Sequence, residues 1–465
     1  MKITLHGAAG GQVTGSAYQI RTDRAHLLVD FGLFQGMPNA HDQNRIPAGL
    51  EPARLDAVLL THAHLDHTGR LPLLALDGYR NPVFATPATL DITGLILRDS
   101  AKVQAQDIGR LNRRRERAGE TPLTPLYGPA DVDRVMALAQ PVPYDQPVDV
   151  APGVRAHFVE AGHLLGSASI QLDVEEAGRR SVVVFSGDLG PKGAPILRDA
   201  QCLRVAANAV FLESTYGDHD HRPFAETVAE FREVLRVAVA EKGKVLVPTF
   251  AVGRAQLLLV LLACFFRRQE LPRFPLFLDS PMAAEASRIY VAHPELFDEE
   301  LTALREEHPL AADLSSLTIT ETADQSRAIN DVPGPCLVLA GAGMCNAGRI
   351  LHHLRQNLWK PETRVLIVGY QSEGTLGRQL LEGAKQVSIF GEKIAVRARV
   401  HTLGGFSAHA GQRDLLEWFA CLAPSRPRVF LTHGEKRGRD VLARLLRERH
   451  GLDAGLPGLG DTLEI

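Results

Sequence analysis

The most constraining stretch of this 465-residue chain is Thr61-His62-Ala63-His64-Leu65-Asp66-His67, an HxHxDH pattern directly after the apolar run Ala57-Val58-Leu59-Leu60. The run reads as a buried strand, so three imidazoles and a carboxylate sit on the loop at its end. A catalytic tetrahedral site takes three protein ligands and keeps its fourth position for water, so these four donors exceed what one such site uses. The set suits two adjacent metal ions, and nitrogen with oxygen donors favours zinc among the common choices. A two-metal site points to hydrolysis.

The bulk composition sets few limits. With 45% hydrophobic and 23% charged residues the chain reads as an ordinary globular protein of two or three domains. A net charge of -3 neither supports nor excludes RNA, so any polyanion site has to be built from local basic residues and metal ions. The cysteines, Cys202, Cys264, Cys336, Cys345 and Cys421, are odd in number, widely spaced and without a CxxC pair. This argues against a disulfide framework or a zinc ribbon and makes a cytoplasmic location the default. The start, Met1 to His6, reads as a strand and not as an export signal. The apolar run Leu257 to Phe266 is far shorter than the ~20 residues that span a bilayer; bracketed by arginines, it reads as a buried helix, and no membrane association is expected.

Further metal-capable side chains recur at strand ends. Asp30 follows the run His26-Leu27-Leu28-Val29, placed to hydrogen-bond the free nitrogen of a ligand histidine. His163 sits in Ala161-Gly162-His163-Leu164-Leu165-Gly166-Ser167, and Asp188 follows Val182-Val183-Val184-Phe185-Ser186-Gly187. Together they complete a two-metal ligand count. The turn Gly7 to Ser16 is glycine-rich but lacks the GK[ST] of a phosphate loop, so a close turn beside the metal site is the better reading. Between Asp91 and Met136 the pattern is helical and charged, and Arg110, Arg113, Arg114, Arg115 and Arg117 read as a solvated face.

THAHLDH, AGHLLGS, VVFSGDLG and the early DFG resemble the successive motifs of the metallo-β-lactamase superfamily. ESTYGD (Glu213 to Asp218), PTFAVGRAQ, FSAHA (Phe406 to Ala410) and LTHGE (Leu431 to Glu435) narrow the resemblance to the β-CASP nucleases, which include the cleavage and polyadenylation endonuclease. The resemblance covers essentially the whole chain. It implies an α/β protein in which an αββα sandwich is interrupted by an inserted α/β cap with a parallel sheet. The expected division is 1–208 and 396–465 for the sandwich, the latter an RNA-specificity segment, and 209–395 for the insert, with ESTYGD at the junction. It also implies two zinc ions: His62, His64 and His163 on one, Asp66, His67 and His433 on the other, and Asp188 bridging. Attack on phosphorus comes from a hydroxide the two metals share, and His409 is the general acid for the departing ribose oxygen. Glu213, beside it, raises its pKa and fixes its orientation. One departure is visible: the first glycine turn, GGQVTGS, carries an added residue.

The insert is legible in its own right. Strand-like runs at Lys244-Val245-Leu246-Val247, Phe274 to Leu278, Cys336-Leu337-Val338-Leu339 and Val365-Leu366-Ile367-Val368 alternate with helical stretches, as parallel βα units do. Their carboxyl ends form the usual ligand edge of an open α/β sheet. Arg254, Arg349 and Arg378 follow three of those ends and, with Ser372 and Ser407, are the candidate contacts to an RNA backbone in a cleft. Asp218-His219-Asp220-His221 reads as a polar loop, His221 without an assigned role, and His352-His353 as a surface pair on a helix. The leading expectation is a zinc-dependent ribonuclease cutting single-stranded RNA internally, leaving 5′-phosphate and 3′-hydroxyl ends. A 5′-exoribonuclease, a DNA nuclease and an ester or lactam hydrolase are the alternatives. A homodimer and RNA-processing protein partners stay open.

Overall fold

The computed structural model describes residues 1–36, 40–371 and 374–465; Ser372, one of the expected substrate contacts, lies outside them. The described chain divides into two units: residues 1–193, 199–220 and 409–465 form one, and residues 194–198 and 221–408 the other.

In the first unit the described residues build two seven-stranded sheets. One runs Thr462–Glu464, Lys2–Gly7, Ala17–Arg21, His26–Val29, Ala57–Leu59, Val83–Ala85, Ala139–Pro141. The other runs Ala454–Gly455, Arg428–Thr432, Ala209–Glu213, Arg179–Phe185, Ala168–Glu176, Val154–Glu160, Pro147–Ala151. Successive side chains on a strand face opposite ways, and the packing follows that alternation. Val183, Phe185, Ala209 and Phe211 point into the core between the sheets, with Leu5, Ile20 and Phe158. Val184, Val210 and Leu212 point outward, under the helices Gln412–Ala420 and Lys436–His450. The other sheet's outer face buries Leu28, Val58 and Leu60 against Leu90, Leu97 and Ala101 of the helix Pro87–Arg117. Strands apolar on both faces thus produce four layers, αββα. The arginine-rich end of that helix is solvated, with Arg110 on Asp107 and Arg115 on Glu120, each at 2.8 Å.

The second unit carries a six-stranded, all-parallel sheet in the order Leu317–Ile319, Leu276–Asp279, Cys336–Ala340, Lys244–Pro248, Arg364–Ile367, Arg399–Thr402. The sheet pairings move the expected boundaries. Ala209–Glu213 pairs with Arg179–Phe185 and Arg428–Thr432 in the sandwich, and Arg399–Thr402 pairs with Arg364–Ile367 in the inserted sheet. The expected junctions at 209 and 396 therefore fall near 220 and 408. Among the described residues no helix is long and apolar enough to cross a membrane.

Two expectations are corrected. Cys202 and Cys421 form a disulfide, their Cα atoms 6.1 Å apart across 219 residues of sequence. Spacing along the chain concealed the pair, because the segment before Ala209–Glu213 lies along the helix that follows His409, where Trp418 Nε1 donates to the Gln201 carbonyl at 3.1 Å. His353 is not a surface residue: it is 1% exposed and its Nε2 lies 2.6 Å from Asp279 Oδ2, whereas His352 is exposed. Asp279, fully buried, also accepts from Ser326 at 2.6 Å, Arg349 at 2.7 Å and the Thr320 hydroxyl. The helix turns His353 inward while its neighbour, about 100° round, faces out.

Candidate metal centre and active site

All the donors named from the HxHxDH, AGHLLGS, SGDLG and LTHGE motifs meet in the first unit, at the strand ends of the two sheets. Asp30 ends His26–Val29, and His62 to His67 follow its parallel neighbour Ala57–Leu59. Asp188, Glu213 and His433 lie at the ends of three consecutive parallel strands, Arg179–Phe185, Ala209–Glu213 and Arg428–Thr432. Parallel strands bring their carboxyl ends to one edge, which is why residues hundreds of positions apart converge.

Close backbone approach sets the loops. A Cβ on Gly32 would lie 1.5 Å from the Asp66 carbonyl oxygen, and one on Gly190 would lie 1.9 Å from that of Gly162, so only glycine lets these turns nest against the ligand loops. Ala410 N donates to the Leu189 carbonyl at 2.7 Å, tying the His409 segment to the Asp188 loop.

The donors fall into two groups around one carboxylate. His62 Nε2 and His163 Nε2 each lie 3.1 Å from His64 Nδ1, and 3.4 and 3.6 Å from Asp188 Oδ2. The other oxygen, Oδ1, lies 3.4 Å from His67 Nε2 and 3.5 Å from His433 Nδ1, while His433 Nε2 lies 3.4 Å from Asp66 Oδ2. Asp188, 2% exposed, thus turns one oxygen to each group. The fit to metal ions rests on three observations. Two buried atoms inside the cluster, His67 Nε2 and Asp188 Oδ1, face each other at 3.4 Å without a hydrogen bond, a costly state that a cation held between them would relieve. Burial holds His62 well below the usual imidazole range and His64 at about 4, so both rings keep free lone pairs. Tetrahedral coordination at ~2.0–2.1 Å puts ligand nitrogens about 3.3 Å apart, close to the spacings seen.

Asp30 is fully buried and fully engaged: Oδ1 accepts from Thr61 N, and Oδ2 from the Thr61 hydroxyl and from His67 Nδ1, each at 2.8 Å. A carboxylate only accepts, so His67 Nδ1 carries a proton; burial pulls this imidazole down, but Asp188 and Asp30 more than offset it and hold it well above the usual range, so a cation at Nε2 would displace a second proton. Glu213, 1% exposed, accepts from Leu189 N at 2.8 Å and Thr215 N at 3.2 Å, and its Oε1 lies 3.3 Å from His409 Nδ1. Burial pulls the His409 imidazole down. The Glu213 carboxylate, with Asp188 and Asp66 further off, more than offsets this and holds it up at about 9.

Arg254, Arg349, Arg378 and Ser407 belong to the second unit, all partly buried. Arg349 is held inside the fold by Asp279 and by the Thr320 and Glu321 carbonyls at 3.1 and 2.7 Å. Arg378 pairs with Glu382 at 2.7 Å. Asp218 binds Arg437 at 2.9 Å and His219 Nδ1 at 2.7 Å, as a polar loop does. Sequence reasoning passed over Thr215, whose hydroxyl lies 3.1 Å from His433 Nδ1; its position inside ESTYGD was the one signal available.

An αββα sandwich whose strand ends gather such a donor set defines a metal-dependent hydrolase. Family models match along the chain: the metallo-beta-lactamase superfamily over residues 10–249, the Beta-Casp domain over 255–380 and the Zn-dependent metallo-hydrolase RNA specificity domain over 393–457. "Ribonuclease TTHA0252" of Thermus thermophilus is 40% identical over 100% of both chains. "Transcription termination factor FttA" of Cenarchaeum symbiosum is 33% identical and that of Pyrococcus abyssi 31%, over 100% of this chain and 71% of theirs. A crystal structure titled as a protein of unknown function from Enterococcus faecalis V583 shares the fold, with a TM-score of 0.55 and 15% identity over 100% of this chain and 99% of that one. The chain belongs to the β-CASP RNA nuclease family of the metallo-β-lactamase superfamily.

Proposed function

We propose that this protein is a two-zinc ribonuclease that cuts single-stranded RNA internally. The observation that carries the proposal is the division of labour at Asp188: one oxygen faces His62 and His163, the other His67 and His433, with the His409 and Glu213 pair beside the set. In this reading His62, His64 and His163 would hold one ion and Asp66, His67 and His433 the other, with Asp188 available to both. When bound, two zinc ions supply Lewis acidity toward a water and toward the phosphodiester oxygens.

The chain's own residues do the rest. His409 donates a proton to the departing ribose oxygen, and the Glu213 carboxylate keeps that imidazole protonated and oriented at neutral pH. Products carry 5′-phosphate and 3′-hydroxyl ends. Asp30 orients His67 through Nδ1, and the carboxyl edge of the inserted sheet, with Arg254 and Arg378, contacts the RNA backbone. RNA as the substrate is supported by the printed name of the Thermus relative and by its coverage of the whole chain.

The test incubates metal-replete protein with a single-stranded RNA and its DNA counterpart, each labelled at either end, beside a His409→Ala variant and a chelated control. Internal RNA fragments that vanish in both controls are expected. Progressive shortening from the 5′ end would replace internal cleavage with exonuclease action, and preferred cutting of DNA would overturn the substrate. No RNA cleavage by protein carrying two zinc ions would reject the reading.

A further inference from the structure

Two large aromatic rings stand at the carboxyl edge of the inserted sheet, on neighbouring strands. Phe250 follows Lys244–Pro248 and is 43% exposed; Tyr370 lies just past Arg364–Ile367 and is 48% exposed. Single exposed aromatics are commonplace. Two at adjacent strand ends of an open parallel sheet, where such sheets bind ligands, are not.

The loops around Phe250 are tied together. Phe250 lies beside glycine backbone: a Cβ on Gly343 would come 2.9 Å from its Cε2, and one on Gly369 would come 3.6 Å from the same atom. A side chain at Gly343 would push the ring away. Thr249 N donates to the Ala340 carbonyl at 3.0 Å, fixing the start of the Phe250 turn. Gln371 is 3% exposed, and the two N–H groups of its amide are shared among the carbonyls of Gly343 at 3.0 Å, Gly369 at 3.2 Å and Tyr370 at 2.9 Å. One buried amide thus joins the loops on either side of Phe250. Arg254 opens the helix directly after Phe250, a cation within four residues of the ring.

We propose that Phe250 and Tyr370 form a stacking platform for nucleobases of single-stranded RNA. The proposal rests on the ribonuclease reading and adds to it how bases, as distinct from phosphates, are held. A ring seated against backbone, as Phe250 is, loses little freedom when a base stacks on it, and stacking tolerates any sequence because every base has a π-face. Paired bases in a duplex do not offer that face, so the platform also selects single strands.

The test measures equilibrium binding, in the full-length His409→Ala background, of a single-stranded RNA 12-mer and of the same 12-mer built from abasic ribose. Phe250→Ala and Tyr370→Ala are each expected to weaken binding of base-bearing RNA by about 5- to 140-fold, the range for one lost stacked base, and to shrink the preference over the abasic strand. Phe250→Trp and Tyr370→Phe, which keep a ring, are expected to retain that preference. Unchanged binding of base-bearing RNA by both alanine variants overturns the platform, and so does an equal loss on both strands, which would mark a backbone contact or a folding defect. If the protein with His409 intact cleaves RNA while the variants bind normally, the platform alone falls. If it cleaves no RNA, the ribonuclease reading falls first and the platform with it.

Discussion

Asp30→Asn is the sharpest test of how the metal centre is held. The backbone at residue 30 has φ 58°, a conformation asparagine adopts readily, so the substitution isolates the side chain. Asp30 accepts hydrogen bonds from Thr61 N, the Thr61 hydroxyl and His67 Nδ1, and asparagine must present an NH2 where one carboxylate oxygen stood. If the NH2 faces Thr61 N, two donors collide in a fully buried place, at ~1–3 kcal/mol. If it faces His67, the imidazole moves its proton to Nε2 and turns a donor toward the metal donors, at about 10- to 100-fold in metal affinity. That factor converts to ~1.4–2.7 kcal/mol, so the two outcomes cost about the same and the variant divides between them. Zinc affinity from competition with a chromophoric chelator, and urea unfolding of metal-free protein, read the two routes separately. Zinc affinity within twofold of the parent together with unchanged unfolding would refute the assignment of Asp30 to His67.

Further outcomes are expected. His409→Ala should lower RNA cleavage by about 10²- to 10⁴-fold, the usual worth of a positioned general acid, with zinc content measured by atomic absorption unchanged. Gly32→Ala should reduce zinc binding and the unfolding midpoint together, since its Cβ would lie 1.5 Å from the Asp66 carbonyl oxygen and displace the ligand loop. Burial alone would raise the Asp279 carboxyl, but hydrogen bonds from His353, Ser326, Thr320 and Arg349 hold it far below the ordinary carboxylate range. Its stabilising contribution is therefore complete above the unfolded carboxylate pKa of ~3.9 and is lost as pH falls below that value. Asp279→Asn should cost ~3–5 kcal/mol at pH 7, by leaving buried cationic and donor groups unmatched, and less at pH 3. Denaturant unfolding at both values checks it, and an equal loss at both would contradict the assignment.

The parts of the site legible in the sequence share one property: each follows an apolar run. Strand ends are visible locally, so HxHxDH, Asp30, His163 and Asp188 could be placed on loops beside apolar runs before any pairing was known, and the motif order through Glu213, His409 and His433 carried the resemblance to the family. Other features depend on contacts that no local pattern encodes. The assignment of Ala209–Glu213 to the sandwich follows from its two parallel neighbours, because a run apolar on both faces suits either domain. The Cys202 and Cys421 bond, the inward turn of His353 and the capture of Arg349 by Asp279 arise from packing between segments far apart in sequence.

By itself, then, the sequence determined which side chains can bind metal and which strands end beside them, since residue type and apolar periodicity act over a few positions. Only the tertiary structure decided how they are shared. The turning of Asp188's two oxygens to different histidine groups, the proton on His67 Nδ1 and the glycine seat under Phe250 depend on distances between chain segments, which pairing of strands and packing of layers alone establish.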